Sequence, residues 1–271
     1  MLSEQSVPVV RATLPAVGAA IDDKARLFYR KLFDAHPELL SDLFLLRPAD
    51  GSAVRPYRPG QYVSVQAELP DGSRQIRQYS LSAAPGRPEW RITVKRVRDA
   101  DRPEGEVSSW LHTHARVGDV LAVSVPFGDL ALEEGNGPLL LISAGIGVTP
   151  MVAMLDHLVD AGVTRPVTVV HADRTPADHA HRDEQTRLLA ALPDARFHLW
   201  YEEPGDLAPH GASAGRADLT AVELPADVTV YLCGPLPFMR AVRGDLLRRG
   251  VPAEAVHYEV FGPDLWLGRA Q

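Results

Sequence analysis

Only one cysteine, Cys233, stands among the 271 residues. A lone thiol excludes an internal disulfide framework and cannot by itself form a cysteine metal centre, so a reducing cytoplasm is the expected location. Positive charge is also in short supply, with 28 Lys and Arg against 35 Asp and Glu for a net charge of -7. That balance offers no electrostatic grip on nucleic acid or an anionic membrane, and neither is expected as a partner. The opening stretch MLSEQSVPVVRATLPAVG has an early Glu4, no basic start and no unbroken apolar core, so it does not read as a signal peptide. Charge of either sign is missing from Asn136 through Leu155. A run of that length is a candidate membrane span, but Gly145, Gly147 and Pro150 interrupt its middle and the reading is rejected.

The same stretch reads instead as the organising element of the chain. Leu139 to Ser143 is a continuous apolar run of strand length, Gly145 and Gly147 mark a turn, and Met151 to Leu158 carries apolar residues at helical spacing. A glycine turn feeding a helix N-terminus brings backbone N–H groups and the helix dipole to one place, which suits a phosphate. From residue 136 to 271 the pattern alternates: strands are expected at Val167–His171, Phe197–Tyr201, Val228–Cys233 and His257–Phe261, with helices around Glu184–Leu192 and Phe238–Arg249. That alternation implies a doubly wound parallel α/β sheet, whose ligands bind beyond the carboxyl ends of the strands.

Residues 45–135 have a different texture. Tyr62–Leu69, Gln75–Ala83, Trp90–Val97 and Val120–Val125 are strand-like and separated by turn clusters, with one short helix at Val107–His114 and a charged loop at Asp99–Gly105. Short strands with a single helix suggest a small antiparallel β-barrel. Residues 1–44 read as helical: Val7, Val10, Leu14 and Val17 lie three or four apart, Leu27, Phe28, Leu32 and Phe33 repeat that spacing, and Leu39, Leu40, Leu43 and Phe44 suggest another turn.

Four stretches carry chemistry: Arg77-Gln78-Tyr79-Ser80, Gly105-Glu106-Val107-Ser108, Gly145-Ile146-Gly147-Val148-Thr149-Pro150 and Cys233-Gly234-Pro235. In this order, with a β domain before an α/β domain, they resemble the ferredoxin–NADP reductase superfamily. The sequences PYRPGQYVSV, IRQYSLS, EVSSWLHTHARVGD, LISAGIGVTPMVAMLD, VYLCGP and HYEVFGP look like the reductase portion of bacterial flavohaemoglobin, the FAD- and haem-containing nitric oxide dioxygenase. The resemblance implies FAD and NADH or NADPH as cofactors. Arg77 would pair with the flavin nucleotide's phosphate, Tyr79 and Tyr62 would lie against the flavin, and Ser80 would reach its reactive end. Backbone at Gly105–Ser108 would support the pyrophosphate. The loop Gly145–Pro150 would take NAD(P)H, Gly234 would let the nicotinamide approach, and Phe261, with Gly262 and Pro263, would cover the flavin ring. Catalysis is thereby expected at Ser80, Cys233 and Glu259.

The N-terminus, through LFYRKLFDAHPELLSDLF, looks like the opening helices of that family's globin domain, with Tyr29 where the family has its distal-pocket tyrosine. After Phe44 the globin pattern stops, and Leu45–Gly51 already matches the second strand of the flavin domain. The expectation is therefore a short globin remnant, no haem bound by this chain, Tyr29 and His36 without a haem role, and a barrel lacking its first strand. A missing strand would leave an open edge and raise the alternative of an inactive or purely interacting protein. The main expectation is an FAD-dependent NAD(P)H oxidoreductase passing electrons to a haem or other acceptor, such as a separate globin. Complete nitric oxide dioxygenase activity is the alternative that the family name implies. After the second strand of the α/β domain, Asp173 suits a ribose hydroxyl and Arg174 a 2′-phosphate, leaving the dinucleotide open, although the resemblance implies NADH. His112 with His114, and His179 with His181, lie two apart, which on a helix points them in different directions. They are expected to be solvated surface histidines, and no metal site is expected.

Overall fold

A computed structural model describes residues 25–31, for which only the backbone is considered, 41–96 and 105–261. Its first sheet has six antiparallel strands: β1 (Ala25–Lys31), β2 (Ser41–Pro48), β3 (Tyr62–Glu68), β4 (Arg74–Ser80), β5 (Trp90–Lys95) and β6 (Val120–Val123), in the order β4-β3-β6-β1-β2-β5. Just beyond β4, Leu81 bridges Ile92 of β5, so the two edges meet and the sheet closes into a barrel. Closure removes the unpaired edges an open sheet would present.

The strand expected to be missing is present. Residues 25–31 pair with β2 through Leu27↔Pro48 to Lys31↔Phe44, and with β6 through Ala25↔Val123 to Phe28↔Val120. The helix expected over this stretch does not form, because a backbone lodged between two strands satisfies its N–H and C=O groups on both sides. A helical spacing of apolar residues cannot compete with that. Helix at Leu43 and Phe44 is overturned likewise. β2 alternates, with Asp42, Phe44 and Leu46 buried and the intervening Leu43 and Leu45 only partly covered. The expected helix over Val7–Val17, with His36 and the charged loop before Gly105, lies outside the described residues.

Phe44, Leu46, Val63, Val65, Trp90, Ile92 and Val94 fill the barrel, and α1 (Glu106–His114) seals one opening with Val107 and Leu111. Burying each such large apolar side chain contributes roughly 1.5–3 kcal/mol. His112 pins this helix from its buried face: one ring nitrogen is 2.8 Å from the Val94 carbonyl oxygen and the other 3.2 Å from Asp42.

The second sheet is parallel, in the order β10-β9-β8-β7-β11-β12: β7 (Leu139–Ala144), β8 (Val167–Asp173), β9 (Ala195–Tyr201), β10 (Ser213–Ala214), β11 (Thr229–Gly234) and β12 (Val256–Val260). Every residue of β7 is buried, as a central strand covered on both faces requires. α2 (Val148–Asp160) and α3 (Arg182–Ala191) cover one face, and α4 (Leu236–Arg248) covers the other through Met239, Val242 and Leu246. The strand order reverses at β7, between β8 and β11. This is the switch point of a doubly wound sheet, and it lies where the glycine loop and Cys233-Gly234 emerge.

Polar links, buried and half-buried, join the two sheets. Asp156 on α2 accepts the Ala84 backbone N–H at 2.7 Å and pairs with Arg87 at 3.2 Å, while Arg87 also meets Asp160 at 2.7 Å. Thr93 on β5 bonds His181 at 2.7 Å, and Glu184 pairs with Arg91 at 2.9 Å. Among the described residues no helix is long and apolar enough to cross a membrane.

Candidate active site

In the β3–β4 pairing Tyr62 lies opposite Ser80, Val63 opposite Tyr79 and Val65 opposite Arg77, so one strand pair fixes the order of all four motif residues. Arg77 and Gln78 are exposed, Tyr79 is partly buried and Ser80 is buried. Arg77 donates to the side-chain oxygen of Gln75 at 2.7 Å, and the Gln75 amide donates in turn to Glu106 in the first turn of α1. One glutamine thereby ties the guanidinium to the Gly105–Ser108 turn, where no side chain caps the helix. The Ser80 hydroxyl is buried with no hydrogen-bond partner among the described residues. Leaving a hydroxyl so costs ~1–3 kcal/mol, and a ligand polar atom would relieve it. Burial pushes the Tyr79 phenol above its usual range.

β7 ends at Ala144, and Gly145 adopts a left-handed φ of +53° with open space where a side chain would stand. A tight turn, Gly145–Gly147, leads directly into α2, whose N-terminus carries no side-chain cap and no acidic residue. Thr149 steadies the turn by donating to the Ile146 carbonyl oxygen at 3.0 Å, and Val148, Thr149 and Pro150 are buried. Gly147 has a packing role: a Cβ there would lie 2.4 Å from the Cys233 carbonyl oxygen and 2.7 Å from the Gly234 nitrogen. The two loops predicted from sequence are thus in backbone contact, and Pro235 caps α4 beside them.

Cys233 pairs in register with Ser143 on one side and Glu259 on the other. The thiol is fully buried, and burial, reinforced by Glu259, raises its pKa well above the usual value. Glu259 is mostly buried, and one of its oxygens, Oε2, has no partner among the described residues. Burial first, and then Asp129, pushes its carboxyl up to about 8. The Glu259 Oε1 atom lies 3.4 Å, and the Tyr62 ring 2.7 Å, from the point where Gly128 would place a Cβ, so strand β3 and strand β12 meet over this glycine. Tyr62 is pushed up to about 12 by burial and then by Glu259 and Asp129, and its ring leans on Phe127 at 4.3 Å. Tyr62, Cys233 and Glu259 therefore converge, with Ser80 next to Tyr62. Phe261 follows β12 and is 37% exposed. Gly262 and Pro263 lie outside the described residues.

Beyond the carboxyl ends of β7, β8 and β11 opens a cavity of ≈ 700 Å³ bounded by Gly145, Asp173, Arg174, Arg216 and Phe238. That size suits a cofactor-scale ligand. A second cavity of ≈ 810 Å³, between residues 47–57 and Gly86–Pro88, holds none of the predicted site residues.

Sequence reasoning missed several contributors. Gly128 and Asp129 sit in a Pro-Phe-Gly-Asp turn that a glycine beside an acid could have flagged, whereas Lys95, Arg216 and the Asp156–Arg87 link carry no local signal. The histidine expectation holds for the exposed His114 and is corrected for the other three: His112 is buried as described, His179 bonds Tyr201 at 2.8 Å and Gln185 at 3.1 Å, and His181 spans the two sheets. Burial holds His179 down to about 2, so it remains neutral in the core. Polar partners that reach into the interior from other elements account for these histidines, and two-apart spacing cannot reveal them. Among the described residues no group of three or more His, Cys, Asp or Glu could hold a metal.

A closed antiparallel barrel carrying an Arg-Gln-Tyr-Ser strand thus stands beside a parallel sheet whose glycine loop meets Cys233-Gly234. Residues 141–244 match the oxidoreductase NAD-binding domain family. The flavohemoprotein of Bordetella pertussis is 46% identical over 229 residues, which make up 81% of this chain and 56% of that protein. The chain therefore spans little more than half the length of the curated relatives it matches. The solved flavohem-like FAD/NAD-binding domain of nitric oxide dioxygenase from Vibrio cholerae is 37% identical with a TM-score of 0.80, covering 89% of this chain and 100% of that one. Flavohemoglobin from Malassezia yamatoensis, solved with bound FAD and heme, is 31% identical with a TM-score of 0.77, covering 88% of this chain and 60% of that one. The chain belongs to the flavohemoprotein family and corresponds to its reductase portion.

Proposed function

We propose that the chain is an NAD(P)H-dependent flavin oxidoreductase, holding FAD on the barrel and NAD(P)H on the glycine loop. The observation that carries this reading is the convergence of Tyr62, Cys233 and Glu259 beside Ser80, whose buried hydroxyl lacks a partner among the described residues. FAD fits that orphaned donor, the exposed Arg77 guanidinium and the uncapped turn at Gly105–Ser108. When bound, it supplies the chemistry that accepts a hydride and releases electrons singly.

The protein's own contributions follow from the geometry. Arg77 and the backbone at Gly105, Glu106, Val107 and Ser108 would hold the pyrophosphate, with Gln78 beside them at the exposed surface. Tyr79 and Tyr62 would line the flavin, and Ser80 would donate its free hydroxyl. Gly145, Ile146, Gly147, Val148, Thr149 and Pro150 would present backbone N–H groups to the dinucleotide phosphates. Gly234 and Pro235 would leave the nicotinamide room against the flavin, and Phe261, Gly262 and Pro263 would close the other side. Glu259, its carboxyl pushed up to about 8, keeps its proton at neutral pH and can offer it as a hydrogen bond into the cleft. Cys233, fully buried with its thiol pKa raised, stays protonated and acts as a small wall, not a nucleophile.

The electron acceptor is a haem or another one-electron acceptor. NADH and NADPH oxidation with a dye acceptor after FAD loading tests the reading, and an absence of turnover with both donors would sink it. The names of the relatives favour a second reading, nitric oxide dioxygenation by a haem-bearing protein. A haem Soret band at stoichiometric intensity would support it, and flavin bands alone would oppose it. The inactive-remnant alternative loses its motive, because β1 occupies the place expected to be vacant.

A further inference from the structure

The seam between the barrel and the parallel sheet holds a closed ring of polar side chains. Ser82, two residues beyond Ser80, has its hydroxyl 2.9 Å from that of Thr93, and Thr93 reaches across the seam to Nε2 of His181 at 2.7 Å. Nδ1 of His181 lies 2.7 Å from Glu184 in the first turn of α3, and Glu184 pairs with Arg91 at 2.9 Å. Arg91 returns to Ser82, donating from Nε to its hydroxyl at 3.3 Å and from a terminal nitrogen to its carbonyl oxygen. In the tautomer that carries the proton on Nδ1 of His181, each of these links joins a donor to an acceptor. Ser82 and Thr93 are buried and the His181 side chain is 3% exposed, so water does not readily replace a broken link. Although burial opposes it, the His181 bond and the Arg91 charge hold the Glu184 carboxyl down to about 2. His181 also keeps a left-handed φ of +60°, a conformation that a side chain holds only where its surroundings demand it.

The link from Asp156 to the Ala84 N–H and Arg87 is a separate tie across the same seam. Asp156 stands on α2, the helix that the Gly145–Gly147 turn opens, and Ala84, like Ser82, continues the chain that leaves β4 at Ser80. α3 shares a core with α2, with Leu188 and Leu189 packed among Leu155 and Leu158, so the ring and the Asp156 tie grip one rigid unit. A single tie lets two rigid bodies pivot about it, whereas two separated ties remove the pivot. Resting on the flavin-reductase reading above, we propose that Thr93 and His181 are positioning residues for hydride transfer, their ring being the second of two ties that fix the strand end bearing Ser80 against the helix bearing the glycine loop. They act at a distance from the reacting groups, through Ser82 on one side of the seam and α3 on the other.

The test compares Thr93→Val, which removes the hydroxyl at nearly constant shape, with Thr93→Ser, which keeps it. Stopped-flow reduction of the FAD-loaded proteins is followed over a range of NADH and of NADPH concentrations. A sub-ångström shift between reacting groups slows Thr93→Val by about tenfold in the limiting rate at saturating nucleotide, with the apparent nucleotide affinity and the FAD affinity kept. The long-wavelength charge-transfer absorbance between nicotinamide and flavin is expected to weaken with it, and Thr93→Ser to restore both. Glu184→Gln cuts the same ring from its half-exposed corner and is expected to slow reduction in the same way, which keeps the test open should Thr93→Val not fold. A Thr93→Val protein that reduces its flavin at the wild-type rate, whatever its melting temperature, would overturn the inference, as would Thr93→Ser slowed as much as Thr93→Val. Hydrogen exchange reads the seam without turnover: amides of residues 81–87 and 145–150 are expected to exchange faster in Thr93→Val and at the wild-type rate in Thr93→Ser. Unchanged exchange in Thr93→Val would count against the second tie, whereas a wild type whose flavin neither donor reduces would count against the flavin-reductase reading.

Discussion

Replacing Gly147 with alanine separates the two loops that build the nicotinamide side of the site. The new Cβ would sit 2.4 Å from the Cys233 carbonyl oxygen, 2.6 Å from its carbon and 2.7 Å from the Gly234 nitrogen. These are backbone atoms of a buried parallel strand, so no flexible side chain can swing aside. Relief requires the 145–147 turn and the end of β11 to part by roughly 1 Å, and a misplacement of that size costs on the order of 10²-fold in rate when it separates reacting groups. Overpacking of this kind also costs ~1–3 kcal/mol, which lowers the melting temperature by roughly 2–10 °C in a chain of this size. Gly145→Ala is the internal control. Its φ of +53° strains an alanine, yet no atom lies within 4 Å of the added carbon. The cost there is the ~1–2 kcal/mol of a left-handed residue, without a steric wedge. Stopped-flow reduction of the FAD-loaded protein by NAD(P)H reads the effect: Gly147→Ala should slow flavin reduction about a hundredfold, and more than Gly145→Ala does, at comparable loss of stability. A Gly147→Ala protein that reduces its flavin at the wild-type rate would refute the reasoning.

Three further outcomes follow from particular contacts. Arg77→Ala removes a phosphate partner worth ~1.5–3 kcal/mol, so the FAD dissociation constant should rise roughly ten- to a hundredfold in a fluorescence titration; unchanged affinity would contradict the placement of the pyrophosphate. Asp156→Ala leaves the buried Ala84 N–H without its 2.7 Å acceptor, so the urea midpoint should report a loss of ~1–3 kcal/mol. Glu259 titrates at about 8 in the folded chain against an ordinary 4.5, so the native state binds the extra proton between those values. Its contribution to stability is complete below pH 4.5 and is lost as pH rises through about 8, and Glu259→Gln should flatten the melting temperature across that window.

The parallel sheet was readable because its signals are local: an apolar strand, a glycine turn and an apolar helix occur together in Leu139–Leu158, and every expected strand and helix there formed within a few residues. The barrel strands from Tyr62 to Val123 were readable for the same reason, with turn clusters bounding them. Residues 25–31 were not. Their apolar spacing suits a helix, and only the long-range pairing with β2 and β6 makes them a strand. The active-site motifs were legible as separate stretches, but not the device that joins them. That device is Gly128, which contributes only the absence of a side chain between Tyr62 and Glu259. The ion pair between Asp173 and Lys95 at 3.9 Å was likewise invisible, since Lys95 comes from the other sheet.

The most direct measurement is anaerobic mixing of the FAD-loaded protein with NADPH and, separately, with NADH while the visible flavin band is followed. Stoichiometric bleaching of that band by one or both nucleotides is the expected result. Bound FAD that stays oxidised with both nucleotides would contradict the central claim that Gly145–Pro150 and Arg77–Ser80 form one hydride-transfer site.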